Sequence, residues 1–266
     1  MMGKLKSVMG GDGLKSRALR GTALTITSTA GGQFLRLISN LLLTRLLFPE
    51  AFGLMALVTV FITGLQMFSD AGLKASIIQN ARGDDPDFLN TAWTLQIGRG
   101  VILWLATIAL AVPIADFYGE PLLAQLLPVA GIGTLIAGFN STRMASVNRH
   151  LMLGRLTAIM LGCRTVTIIS MVLFAWLTES VWALVLGPLV GGSLRVVLSH
   201  TVLPGIRNRL HFEKSAALEM FHFGKYIFLS TLAAFLISQG DRAVLGKFVS
   251  LADLALYNIA FFLAKF

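Results

Sequence analysis

Seven polar residues, Thr22, Thr25, Thr29, Gln33, Arg36, Asn40 and Thr44, recur at steps of three or four in an otherwise apolar stretch. That spacing puts them on one face of an α-helix. Amides, hydroxyls and a guanidinium so arranged can hold the oxygens of an anion. Further along, Gln66, Asp70 and Lys74 follow at i, i+4 and i+8, with the acid before the base, the favourable order for a pair. Arg99 lies inside another apolar run, and Gln239-Gly240-Asp241-Arg242 lies near the end of a third. No catalytic set is visible. His150, His200, His211 and His222 lack metal-ligand spacing with a neighbouring carboxylate, so neither a metal nor a cofactor is expected. Glycine pairs such as Gly98 and Gly100 do not make a phosphate loop.

The elements that must carry these residues are membrane helices. Of 266 residues, 55% are hydrophobic and 13% charged, about half the charge of a soluble domain. The composition predicts an all-α, polytopic integral membrane protein. Expected spans cover about 21–47, 51–79, 91–115, 122–142, 156–177, 181–203, with a break at Gly187-Pro188, and 226–246, with an eighth beginning near 251. The eighth stops about fifteen residues in, short of the roughly 20 a crossing needs, so the sequence reads as a fragment. A net charge of +9 could suggest nucleic acid, but the basic residues sit in clusters between apolar runs. No nucleic-acid partner is expected. Cys163, the single cysteine, lies within an apolar run and forms no intrachain disulfide.

Lysine and arginine placement gives the orientation. One side carries the basic residues of 4–20, 82, 143–155 and 207–225, and the other Arg45, Arg242 and Lys247. The reading is N-terminus in, with 1–20 a basic cytoplasmic leader and 204–225 a cytoplasmic linker expected to form a surface helix. A repeat joins LLLTRLLFPEAFGLMAL (41–57) to RAVLGKFVSLADLALYNIA (242–260). It pairs spans one and two with seven and eight, so six spans make a unit (21–203) and 226–266 begins another in the same orientation.

Five cations, Arg36, Lys74, Arg99, Arg164 and Arg195, lie inside these expected spans. Exposed to lipid they would cost roughly 3 kcal/mol each, about 15 in all, as much as the whole stability of a domain. Snorkelling or helix pairing accounts for Arg164 and Arg195 better than substrate contact. For Arg36 the accompanying seam favours a shared wet cavity. Asp70 and Lys74 read either as a mutually neutralising pair or as a gate or coupling-ion site. Asp241 and Arg242 read either as a salt bridge closing an outer gate or as substrate contacts.

The stretch GQFLRLISNLLLTRLLFPEAFGLMALVTVFITGLQMFSDAGLKASIIQ (32–79) resembles the N-terminal signature of polysaccharide and O-antigen flippases, within the multidrug/oligosaccharidyl-lipid/polysaccharide exporter superfamily. GDRAVLGKFVSLADLALYNIAFFLA (240–264) resembles the start of their second lobe. The resemblance implies a six-helix lobe plus the start of a second, around a V-shaped cavity in the cytoplasmic (inner) membrane. It implies alternating-access transport of a polyprenyl-pyrophosphate-linked oligosaccharide, not enzymatic chemistry. Gln33, Arg36, Asn40, Lys74 and Arg99 would line the cavity, and Asp70, Asp241 and Arg242 would gate or couple it. Expected partners are that substrate, membrane lipids and a polysaccharide polymerase or export machinery. Two alternatives stay open: a drug or peptidoglycan-precursor exporter of the same superfamily, and a membrane enzyme of envelope polysaccharide assembly.

Overall fold

A computed structural model describes residues 14–69 and 72–264, without the side chains of 14–29, 225–229 and 262–264. All of the regular structure among the described residues is helical. The order is α1 (Leu14–Leu46), α2 (Pro49–Phe68), α3 (Leu73–Gln79), α4 (Pro86–Tyr118), α5 (Leu123–Gly138), α6 (Arg143–Arg149), α7 (Leu153–Thr178), α8 (Trp182–Thr201), α9 (Lys214–Phe248) and α10 (Leu251–Ala264). By length and composition α2, α4, α7 and α8 can each cross a membrane, and α5 with α6 makes a fifth if the pair is one span bent by 59°. At 33 and 35 residues, α1 and α9 exceed the roughly 20 a crossing requires.

Local sequence sets the helix ends. Pro49 opens α2, where its missing N–H costs nothing. Asp85 caps α4 by accepting from the Asp87 amide at 3.0 Å. Ser250 Oγ accepts from the Asp253 amide at 3.2 Å and starts α10 in the same way. Gly119, at φ 71, takes the left-handed turn that ends α4.

Four expectations are corrected. Span two does not run to Gln79: α2 stops at Phe68, Gly72 is left-handed at φ 62, and α3 is a separate helix. Gln66 and Lys74 therefore share no helix face, and Lys74 is exposed on α3. Asp70 lies outside the described residues. Span four is interrupted after Gly138, where Asn140 and Ser141 precede the short α6. The expected break at Gly187-Pro188 is absent, because α8 runs straight through Pro188. Finally, 214–225 is not a separate surface helix; it is the first part of α9, continuous with span seven.

The short turns at 47–48, 119–122, 179–181 and 249–250 share one end of the bundle. The largest apolar cluster lies beside them and includes Leu43, Leu57, Leu123, Leu126, Ala183 and Leu254. Lipid is as apolar as leucine, so close approach of small residues holds such a bundle together. At Gly131 a Cβ would stand 2.1 Å from Thr107 Oγ1, which draws α5 tightly against α4. Polar bonds hold the opposite end. Arg82 meets Asp85 at 2.7 Å, Glu213 at 2.7 Å and Glu219 at 3.4 Å. Arg149 donates to the Ile77, Ile78 and Asn80 carbonyls and pairs with Asp84 at 3.2 Å. Arg143 donates to the Ile206, His200 and Leu203 carbonyls. These bonds bind the 204–213 segment and the start of α9 to α3, α4 and α6.

Candidate functional site

The seam on α1 meets α7 first. At Gly32 a Cβ would lie 2.5 Å from Arg164 Nη1, so the missing side chain lets that guanidinium rest on the α1 backbone. One turn further on, Arg36 is exposed, flanked by half-buried Gln33 and Asn40. Thr44 is exposed and its hydroxyl bonds back to Leu41 O at 3.2 Å. The side chains of Thr22, Thr25 and Thr29 lie outside the description.

Across from α1 stands α9. Arg242 Nη1 donates to Gln239 Oε1 at 3.0 Å, and its guanidinium lies 4.5 Å from the centre of the Phe261 ring on α10. Its Nε is buried with no hydrogen bond among the described residues. Asp241 Oδ2 accepts from Tyr257 Oη at 2.6 Å. The expected salt bridge between the Asp241 and Arg242 side chains is absent among the described ion pairs. Successive residues on a helix point about 100° apart, and each of these two finds its own partner on α10.

Arg164 and Arg242 both act on Arg36 as like charges. Close helix packing joins α1 to α7, and α1 does not pack closely against α2 or α9. Guanidiniums from three helices thus stand near enough for Arg36 to feel the charge of the other two. Like charges held near one another in a medium less polar than water repel. Water or an anion between them relieves that repulsion. What the arrangement can do chemically is hold a polyanion through fixed, permanently charged donors.

The other expected cavity residues fall elsewhere. Arg99 Nε donates to Ser69 Oγ at 2.9 Å and Nη2 to Gln66 O at 2.6 Å. It thereby caps the C-terminal end of α2, where orphan carbonyls and the helix dipole favour a cation. It also lines a cavity of about 330 Å³ with Ser69, Leu73, Thr94, Met220 and Phe221. Arg36 is ten residues from the end of α1, about 15 Å along the axis, while Ser69 is twenty residues from the start of α2, about 30 Å. Arg99 and Arg36 therefore stand at different depths, and Lys74 is further from the turns still. The sequence reading did not place Arg164 beside Arg36, because a lone arginine in an apolar run carries no sign of its neighbours. The one available signal was Gly31-Gly32, a small-residue step beside the seam.

A family model described as polysaccharide biosynthesis protein matches residues 42–266. The lipopolysaccharide biosynthesis protein WzxC of Escherichia coli is 23% identical over 93% of this chain and 50% of its own length. The succinoglycan biosynthesis transport protein ExoT of Rhizobium meliloti is 21% identical over 91% of this chain and 48% of its own. The teichuronic acid biosynthesis protein TuaB of Bacillus subtilis is 24% identical over 74% and 41%. The chain spans about half the length of these curated relatives. No solved structure matches it. With all but its first 41 residues inside that family model, the chain belongs to the polysaccharide biosynthesis protein family.

Proposed function

We propose that this chain forms the first lobe, and the start of the second, of a transporter that flips a polyprenyl-pyrophosphate-linked oligosaccharide across the cytoplasmic membrane. The observation that carries the reading is that Arg36 on α1 faces two further guanidiniums, Arg164 of α7 and Arg242 of α9, as like charges. A pyrophosphate brings at least two negative charges, and moving them unaided through hydrocarbon is prohibitive. A hydrated cationic cleft offsets that desolvation while the prenyl chain stays in lipid. The names of the relatives, one of them a transport protein, support a role in envelope polysaccharide export.

In this reading the N-terminus is cytoplasmic and the turn end faces outward. The apolar cluster there closes the cleft from outside, with the Asp241–Tyr257 bond at the seam of the gate. Alternating access would open that cluster and close the opposite end. Residues 1–20 would be the leader, 21–203 the first lobe, 204–225 the linker and 226–266 the start of the second lobe. Membrane lipids and a polymerase or export machinery would be the partners.

The test is Arg36→Ala in the complete protein, read by complementation of polysaccharide export alongside membrane insertion. Loss of export with normal insertion is expected. Undiminished export would remove Arg36 from the site and the reading with it.

A further inference from the structure

Beside the arginines around Arg36 stand a cavity beside Arg99, the ion cluster around Arg82, and a cavity between α7 and α8 that shares Arg164 with the Arg36 site. The last carries the strongest chemistry. It has a volume of about 290 Å³ and is lined by Met160, Leu161, Arg164, Thr167, Pro188 and Arg195.

The two arginines stand side by side. Arg164 is fourteen residues before the end of α7 at Thr178, and Arg195 is thirteen residues after the start of α8 at Trp182. The two helices are antiparallel and closely packed. Both guanidiniums therefore stem from a level about 20 Å from the turn that joins the helices. Neither arginine has an ion pair among the described residues. Between Leu153 and Thr201 the only acid is Glu179, in that distant turn, and α1, which packs on α7, has none from Leu14 to Leu46. Arg195 is exposed and Arg164 half-buried, so both can reach a ligand.

We propose that the α7–α8 cavity binds the phosphate headgroup of a membrane lipid, with Arg164 and Arg195 gripping its oxygens from adjacent helices. Two cations at this depth would cost roughly 3 kcal/mol each if they faced bare hydrocarbon. A phosphate between them supplies the missing countercharge, and each planar guanidinium can offer it two parallel donors. The lipid's chain has a route out of the cavity: Met160, on its wall, is 50% exposed, and Val197 beyond Arg195 is 56% exposed. Thr167 Oγ1 already bonds to Cys163 O at 2.9 Å, so the arginines are the specific donors.

The inference rests on the transport reading only in suggesting the prenyl carrier as one source of the phosphate; an anionic phospholipid is the other. The test reconstitutes the full-length protein in nanodiscs of neutral lipid. Binding of a fluorescent polyprenyl phosphate and of a fluorescent phosphatidylglycerol is then titrated separately. Arg195→Gln, which leaves Arg164 facing Arg36, should weaken binding of at least one lipid about tenfold, as expected on losing a charge-assisted pair, and Arg164→Gln should do the same. Loss toward the prenyl phosphate alone assigns the site to the carrier, and loss toward both assigns it to phosphate headgroups generally. Unchanged binding of both lipids by the double variant overturns the proposal. If the double glutamine variant does not fold, Arg164→Lys with Arg195→Lys keeps the charge and removes the paired donors. Its binding should then fall, and binding equal to the unsubstituted protein overturns the proposal equally. Export that ignores Arg36 would sink the transport reading and leave this result standing.

Discussion

At Gly32 a single missing methyl decides where Arg164 rests. A Cβ there would lie 2.5 Å from the end of a flexible side chain. Gly32→Ala should therefore leave the fold intact, and alanine's better helix propensity offsets part of the strain, worth up to ~1 kcal/mol. The guanidinium must swing off α1, however, and the charge facing Arg36 changes position. The expected outcome is near-normal thermal stability with clearly reduced export, and a large fall in melting temperature would contradict it. Tyr257→Phe is its counterpart on α10. That change strips Asp241 of its 2.6 Å donor, and losing a hydrogen bond to a charged group costs about 1.5–3 kcal/mol. Export by that variant should fall with little change in insertion, whereas unaltered export would mean that Asp241 plays no part in closing the space.

Helices were legible where hydropathy alone defines them. α4, α7 and α8 lie where the apolar runs put them, and the seam on α1 follows directly from steps of three and four. The stop at Phe68 was not legible, because Gln66, Asp70 and Lys74 continue the helical period straight across it. Only Gly72, free to adopt φ 62, marks the interruption. The ion cluster was equally hidden. Arg82 and Glu213 are 131 residues apart, and a single sequence says nothing about which loops meet. That cluster makes a pH prediction. Hydrogen bonds from His150 and Arg149 lower the Asp84 carboxyl, and those from Arg82 lower Asp85 and Glu213, below their ordinary values. A carboxyl lowered on folding contributes stability above its unfolded pKa and loses it as pH falls through the folded value. Hydrogen-exchange protection of 204–219 should therefore hold from pH 5 to 8 and drop below about pH 4, the ordinary carboxylate range. Arg82→Ala should shrink this pH step to the part that Asp84 contributes, and a step of unchanged size would remove Arg82 as its cause.

Over the whole molecule, the two halves of the internal repeat meet where each begins its second helix. α1 turns into α2 at Phe48-Pro49, and α9 turns into α10 at Val249-Ser250. These turns touch: a Cβ on Gly53 would stand 2.2 Å from Leu251 O and 2.8 Å from its carbonyl carbon. Ala51, Leu54 and Leu57 of α2 join Leu254 of α10 in one apolar cluster. The motif legible as a weak sequence repeat is thus also a packing joint, between elements nearly 200 residues apart. The obstacle at Gly53 is backbone, unlike the movable side chain at Gly32, and two helices must separate to admit a methyl. Gly53→Ala should then cost about 1–3 kcal/mol, as overpacking of a filled core does, and should lower the melting temperature of the solubilised protein. Gly64→Ala, whose Cβ would meet the Phe235 ring at 3.0 Å, should cost less because a ring can tilt. If the two variants melt together at the unsubstituted temperature, α2 and α10 are not held at this joint, and the apolar cluster at the turns needs another origin.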